Sequence, residues 1–292
     1  MSWRAYFATY SVHSPIHVGY HTLSHAERTR YYVPANNMMG AFAGALTAGQ
    51  DYTSPGLLEK VRDSFLFSTF FVSKNGVDAL FPVLTETGDL YYGKENLSLW
   101  DFTNQFISAK EAQKYGIGKT ISEIEFIVPK NNILEKQTYL VGYIFATEAA
   151  EGKGLEAWLR SLKHLSIGEE TGHCLGSIEL MKLEQLHCKE GRMPFFSIDG
   201  LYIDWSGESV TALYDGPGPL LGHLQEDADR SLTSIYGVKE ALEGGFDLLR
   251  NMPVETGMKQ CWVPGTLIKP GSQGVLFKMG NNGVWSLERA GE

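Results

Sequence analysis

Apolar and polar positions alternate most cleanly at the start of the chain, where Trp3, Ala5, Phe7 and Thr9 interleave with Arg4, Tyr6, Ala8 and Tyr10. A period of two marks a strand, and the run of β-formers carries it to Val18 as one long strand or a bent hairpin arm. Gly19 to Arg30 is polar without apolar periodicity and reads as a loop. Asn36 or Asn37 then stands where a helix N-cap belongs, ahead of Met38 to Leu46. Gly40, Ala41, Ala43, Gly44 and Ala45 in that helix predict close packing on a sheet. A second short helix is expected over Pro55 to Asp63, with Pro55 near its first turn.

Two strands, Phe65 to Val72 and Val77 to Leu84, flank Asn75-Gly76, a strong hairpin signal. Residues 86–120 are mixed, with a small helix expected near Ser108 to Lys114. Ile121 to Pro129 and Thr138 to Thr147 read as a further hairpin turned at Asn131-Asn132. Leu155, Trp158, Leu159 and Leu162 then share one face of a helix over 154–165. After it comes Gly168-Glu169-Glu170-Thr171-Gly172-His173-Cys174-Leu175-Gly176, a glycine-rich loop leading into a strand over 176–186.

Reduced to its elements, this first part is β-α-β-β-α-β with a decorated middle, the order of a ferredoxin-like or RNA-recognition-type unit. From Met193 the pattern restarts with strands at Phe195 to Ile198 and Leu201 to Trp205 and a turn at Tyr214 to Pro219. Helices are expected at Gln225 to Thr233 and Val238 to Ala241, then strands at Lys259 to Val263 and Thr266 to Lys278. The expected class is α+β, with two ferredoxin-like (RRM-like) domains. Residues 1–190 form the first, with the inserted middle and the glycine-rich loop before its last strand. Residues 191–292 form a smaller second one.

Composition narrows the setting. A chain of 292 residues that is 43% hydrophobic and 12% aromatic buries a sizeable core. No apolar run approaches the ~18 residues that span a bilayer and no signal-peptide pattern opens the chain, so a cytoplasmic protein without membrane contact is expected. Cys174, Cys188 and Cys261 are unevenly spaced and read as reduced thiols. A net charge of −9 argues against a general nucleic-acid binder. The charge is uneven, however: residues 199–247 hold ten acids against Arg230 and Lys239, a net of −8, whereas residues 1–48 and 257–292 are each +2. A local anion site and an acidic face for another contact are both compatible with this.

Four features now stand in order. They are Ser14-Pro15-Ile16-His17-Val18-Gly19, then Tyr32-Val33-Pro34 entering the small-residue helix, then the glycine loop 168–176, and last Lys269-Pro270-Gly271-Ser272-Gln273-Gly274 before a strand. Together they resemble the repeat-associated mysterious protein (RAMP) superfamily, subunits of CRISPR effector complexes. Among these the chain is most similar to the subunit that caps the 5′ handle of the guide RNA (crRNA) in type III complexes. That resemblance implies an RNA-binding subunit of an antiviral ribonucleoprotein, with crRNA, backbone RAMP subunits and a large polymerase-like subunit as partners and no cofactor. Where such loops often carry a basic residue, this one has Glu169, Glu170 and His173, which leaves its backbone amides as the phosphate contact.

Single-stranded RNA needs amides or cations for phosphate and flat side chains for bases. His21, His25, Arg28, Arg30, Asn37, Gly168, Gly172, His173 and Gly176 are the RNA-binding candidates on this reading. Arg28 and Arg30 read equally well as residues of a solvated loop, and Tyr31 and Tyr32 as packing residues. His13, His17, His21 and His25 recur at a spacing of four, but Pro15 and Gly19 break any helix that would gather them round a metal, so no metal site is expected. Some relatives cleave the guide precursor without metal, and His17 or His21 would be the acid or base if this chain did so. An α+β enzyme or ligand-binding protein unrelated to RNA is the third alternative.

Overall fold

The computed structural model describes residues 2–23, 26–47, 57–93, 101–110, 120–132, 135–147, 155–168, 175–187, 192–226, 232–242, 246–247, 252–253, 259–272 and 274–288. In chain order, β1 is Trp3–Val12, β2 Gly19–Leu23, β3 Ala26–Thr29 and β4 Tyr32–Val33. Helices α1 (Ala35–Thr47) and α2 (Leu57–Ser64) lead to β5 (Phe65–Phe67), β6 (Phe70–Ser73), β7 (Pro82–Leu84) and β8 (Leu90–Tyr92). Then follow β9 (Thr103–Lys110), β10 (Thr120–Ile127), β11 (Tyr139–Thr147), α3 (Leu155–Lys163), β12 (His164–Ser166) and β13 (Ser177–Leu186).

The main sheet runs β12-β13-β1-β11-β6-β4, with β5 also on β11. Its four principal strands, β1, β5/β6, β11 and β13, are fully antiparallel and stand in the order fourth, first, third, second. With α1 and α3 in the crossovers, this is the expected β-α-β-β-α-β connectivity. One face of the sheet is covered by the helices. α1 buries Met38, Met39, Phe42 and Ala43, and α3 buries Trp158 and Leu162, one turn apart on a single face. Phe65 lies 5.0 Å from the Phe42 ring and 5.3 Å from Trp158, which joins both helices to β5. Each such side chain contributes about 1.5–3 kcal/mol through burial. Gly40 and Gly44 are not the points of close approach: nothing lies within 4 Å of a Cβ built at either.

The second half is β14 (Arg192–Pro194), β15 (Leu201–Asp204), β16 (Thr211–Tyr214), β17 (Gly218–Pro219), β18 (His223–Gln225), β19 (Leu232–Tyr236) and β20 (Lys239–Leu242). It closes with β21 (Phe246–Asp247), β22 (Met252–Pro253), β23 (Lys259–Trp262), β24 (Leu267–Pro270), β25 (Val275–Met279) and β26 (Val284–Leu287). An eight-stranded sheet runs β14-β15-β16-β25-β26-β18-β23-β20, and β17-β24-β19 form a smaller one. Phe195, Leu201, Ile203, Trp205 and Trp285 pack against Ala5, Phe71, Val141, Tyr143 and Phe145 in one core. The central strands β1, β11 and β6 of the main sheet are therefore buried on both faces, and apolar packing is continuous across residue 190.

Several expectations are corrected. The first strand stops at Val12, because Pro15 has no N–H to continue a ladder. Gly19 to Thr29 is a hairpin, β2–β3, and not a loop. Asn36 and Asn37 lie inside the first turn of α1. Strand is confined to Pro82–Leu84 where Val77 to Leu84 was expected. Ser108–Lys110 belong to β9 and not to a helix, and residues 111–114 lie outside the described residues. β10 and β11 enter different sheets, so only the Lys130–Gln137 bridge remains of their expected hairpin. Phe195–Ser197 is a 3-10 turn. Among the described residues the second half has no α-helix. Lys239–Ala241 lies in β20, paired with β23, and Leu232–Thr233 opens β19, so neither expected helix appears among the described residues, and residues 227–231 lie outside them. A four-residue stretch is too short to hold a helix against a paired ladder.

Candidate nucleic-acid interface

The glycine loop joins β12 to β13, and both its feet rest on residues 13–18. The Ile167 N–H donates to Gly176 O at 2.9 Å and the Gly176 N–H to Pro15 O at 2.7 Å. Next to it the Ser177 N–H donates to Ser14 Oγ at 2.8 Å, while the His13 N–H donates to Ser177 O at 2.9 Å. Gly168 and Gly176 have φ of +101° and +81°, a region that L side chains rarely adopt. A Cβ at Gly168 would overlap the His17 carbonyl, and one at Gly176 the Ile167 carbonyl. Here the glycines are required by the feet of the loop. Gly172 and His173 lie outside the described residues.

The same short segment carries the hairpin on its other side. Ile16 and Ile127 exchange backbone bonds of 3.0 and 2.8 Å, the Val18 N–H donates to Thr29 Oγ1 at 3.0 Å, and the Arg30 N–H to Val18 O at 2.8 Å. β3 pairs in parallel with β10. Residues 13–18 thus form a strap between the two stretches of candidate RNA-binding residues.

Glu125 of β10, which the sequence reading did not single out, organises the hairpin from below. It is 3% exposed, so its carboxylate needs partners. The Thr29 N–H donates to Oε2 at 3.1 Å, the Tyr31 hydroxyl donates to Oε1 at 3.0 Å, and Arg28 Nη1 stands 3.6 Å from Oε1. Burial, then the Glu125 charge and hydrogen bond, raise the Tyr31 hydroxyl above its ordinary pKa. Tyr31 also meets Tyr92 edge-on at 5.9 Å, and Tyr32 packs near Phe71 and His223.

His17 is buried and donates Nδ1–H to the Glu125 carbonyl at 2.7 Å. A sealed imidazole so engaged acts as a packing group and is out of reach of a substrate hydroxyl. His21 sits in β2 opposite Arg28, and His25 lies outside the described residues. Asn37 is in the first turn of α1, its N–H bonded to Pro34 O and to Asn36 Oδ1. Arg30 turns away from the hairpin surface. Its Nη2 lies 2.8 Å from Glu240 Oε2, and Glu240 Oε1 lies 2.6 Å from His223 Nε2. Burial drives His223 toward the neutral form. Burial alone would raise the Glu240 carboxyl, but its hydrogen bonds and the Arg30 charge outweigh this and hold it below the usual range.

The face that an RNA-recognition sheet offers to stacked bases is closed here. Tyr143, on β11, lies 5.3 Å from Phe7, 5.0 Å from Phe195 and 4.9 Å from Phe196, and burial pushes its hydroxyl up to about 12. With aromatics of the central strands roofed in this way, nucleic acid is excluded from that face. Beside the strap, the Arg28 side chain on the hairpin remains 37% exposed.

No family model matches the chain, and no curated protein sequence matches it. Solved structures do. A chain of the type III-B Cmr-beta complex bound to cognate target RNA and AMPPnP is 13% identical over 90% of this chain and 86% of its own, with a TM-score of 0.55. A chain of the same complex bound to cognate target RNA is 14% identical at the same coverage, with a TM-score of 0.53. This chain shares its fold with subunits of type III CRISPR-Cas complexes. A chain from the Csm3-Csm4 subcomplex of a type III-A CRISPR-Cas interference complex follows at 14% identity and a TM-score of 0.44. No helix among the described residues is long and apolar enough to cross a membrane.

Proposed function

We propose that the protein is a RAMP-type, RNA-binding subunit of a type III CRISPR effector complex, holding the 5′ handle of the guide RNA among neighbouring subunits. The observation that carries this reading is the shared fold, with a TM-score of 0.55 over nine-tenths of the chain, with a complex that binds target RNA. The closed aromatic face supports a particular path for the RNA, over the strap. His21, His25 and Arg28 on the hairpin, and the amides and His173 of the loop from Gly168 through Gly172 to Gly176, are the proposed contacts, with Asn37 at their margin. Arg30 is left out, since Glu240 holds its guanidinium. Residues 1–190 are the proposed RNA-bearing unit and 191–292 the unit that roofs its sheet and meets other subunits. The partners are crRNA, backbone RAMP subunits and a large polymerase-like subunit, in the cytoplasm.

The test is a titration of handle RNA, across a salt series, into the complex reconstituted with wild-type or Arg28→Ala protein. Loss of one phosphate contact lowers affinity and reduces the salt slope by about one unit. Identical curves for both proteins would overturn the hairpin path, and absence of handle RNA binding by the complex would overturn the function.

A further inference from the structure

We propose that His13 accepts a hydrogen bond from a ribose 2′-hydroxyl, so that the strap tells RNA from DNA at one nucleotide; the proposal rests on the reading that RNA crosses residues 13–18. His17, four residues on, is buried against the Glu125 carbonyl. The His13 side chain is 49% exposed.

His13 opens the strap directly after β1, and its own N–H is tied to Ser177 O beside the foot of the glycine loop. Its ring reaches a single rung of the sheet, where Ser11 of β1 faces Glu179 of β13. Nε2 lies 3.2 Å from Glu179 Oε2 and 3.0 Å from Ser11 Oγ. An ionised carboxylate only accepts, so Nε2 carries a proton toward Glu179. The Ser11 hydroxyl donates to the Glu179 carbonyl at 3.3 Å, which leaves its oxygen free to accept from Nε2 as well. Both neighbours thus select one tautomer, and a carboxylate bound to one ring nitrogen fixes the direction in which the other points.

In the neutral ring of that tautomer, Nδ1 carries no proton and offers a lone pair. Among the described residues it has no hydrogen-bond partner. A fixed, half-exposed acceptor selects a donor and loses little freedom on binding one. Phosphate oxygens have no proton to give. Each ribose carries a 2′-hydroxyl, which DNA lacks. Base amines also donate, but with the aromatic face closed by Phe195 and Phe196 a single strand is held along its sugar-phosphate backbone, where the 2′-hydroxyls lie.

The experiment is a 2′-deoxy scan of the handle RNA, one sugar at a time. Each RNA is titrated at pH 8 into the complex reconstituted with wild-type, His13→Ala or His13→Phe protein. Phenylalanine keeps ring volume on the strap but supplies no nitrogen. One 2′-deoxy substitution is expected to weaken binding by the wild type about fivefold, the worth of one neutral hydrogen bond, and to have no effect with either variant. A scan in which no deoxy position distinguishes wild type from the variants overturns the proposal. So does the same coupling found for removal of a base amine in place of a 2′-hydroxyl, or a salt slope lowered by about one unit in His13→Ala, which would make the ring a cation on phosphate. In all three cases handle RNA is still bound and the proposed function stands. A wild-type complex that does not bind handle RNA overturns that function, and this inference with it.

Discussion

Arg30 and Glu240 meet at 2.8 Å although 210 positions separate them in the chain. The pair joins the exit of the candidate RNA-binding hairpin to β20 of the second half, and both side chains are largely buried, 14% and 10% exposed. Removing Arg30 takes the charged partner from Glu240 Oε2 and leaves the carboxylate with its His223 bond. Arg30→Ala is expected to destabilise the protein by about 3 kcal/mol, whereas Arg30→Lys, which keeps the charge but loses the forked geometry, should cost less. Denaturant midpoints of the three proteins check this. A loss under 1 kcal/mol for Arg30→Ala would mean that the two halves are held by apolar packing alone.

The same cluster sets a pH dependence. Burial lowers the pKa of His223 below its usual 6.5 in the folded chain, so on acidification the unfolded state takes up this proton first. Stability is therefore full above pH 6.5 and falls as the pH drops below it. Glu240, held below its usual 4.5, adds a loss of the same sign at lower pH. His223→Gln keeps a neutral donor for Glu240 and removes the first limb. Thermal melts from pH 7.5 to 5 should show a shallower decline for the variant, and parallel declines would rule His223 out as the source.

Gly40 and Gly176 are expected to respond oppositely to alanine. Gly40 is exposed on α1 with open space where a Cβ would go, so Gly40→Ala should stabilise the helix by about 0.5–1 kcal/mol. Gly176 has a φ of +81° and the Ile167 carbonyl against it, so Gly176→Ala should cost about 1–3 kcal/mol and loosen the foot of the loop. Destabilisation by Gly40→Ala, or no loss in Gly176→Ala, in chemical denaturation would contradict the packing described.

Much of the first half was legible in the sequence because dense apolar periodicity marks β1, α1, β11, α3 and β13. The hairpin β2–β3 was not, since its strands arise from pairing with β10 and carry no apolar stripe of their own. Val238 to Ala241 misled for a related reason: a stretch of four residues has too little pattern to oppose a neighbouring strand. Among the candidate residues, Gly168 and Gly176 could be placed because turns need glycine. The role of Arg30 could not be placed, because its partner is 210 positions away. Glu125 sits in the alternation of β10 like any strand carboxylate, and only tertiary structure reveals that Thr29, Tyr31 and Arg28 converge on it.

That convergence gives a further expectation. Glu125→Leu leaves the Thr29 N–H and the Tyr31 hydroxyl without their acceptor, at about 1–3 kcal/mol for each buried group left unsatisfied. Glu125→Gln preserves an acceptor oxygen and should lose only part of this. Hydrogen exchange at the Thr29 amide reports the effect directly, and unchanged protection in Glu125→Leu would show that the hairpin is held by other contacts.

The central claim is that RNA runs over the strap formed by residues 13–18 and not across the face of the main sheet. An ultraviolet cross-link map between RNA and this chain in the purified particle tests it most directly. The expected map places cross-linked peptides within residues 13–30 and 166–177 and none on the aromatic face of β1 and β11. Cross-links confined to residues 191–292, or to Phe7 and Tyr143, would contradict it.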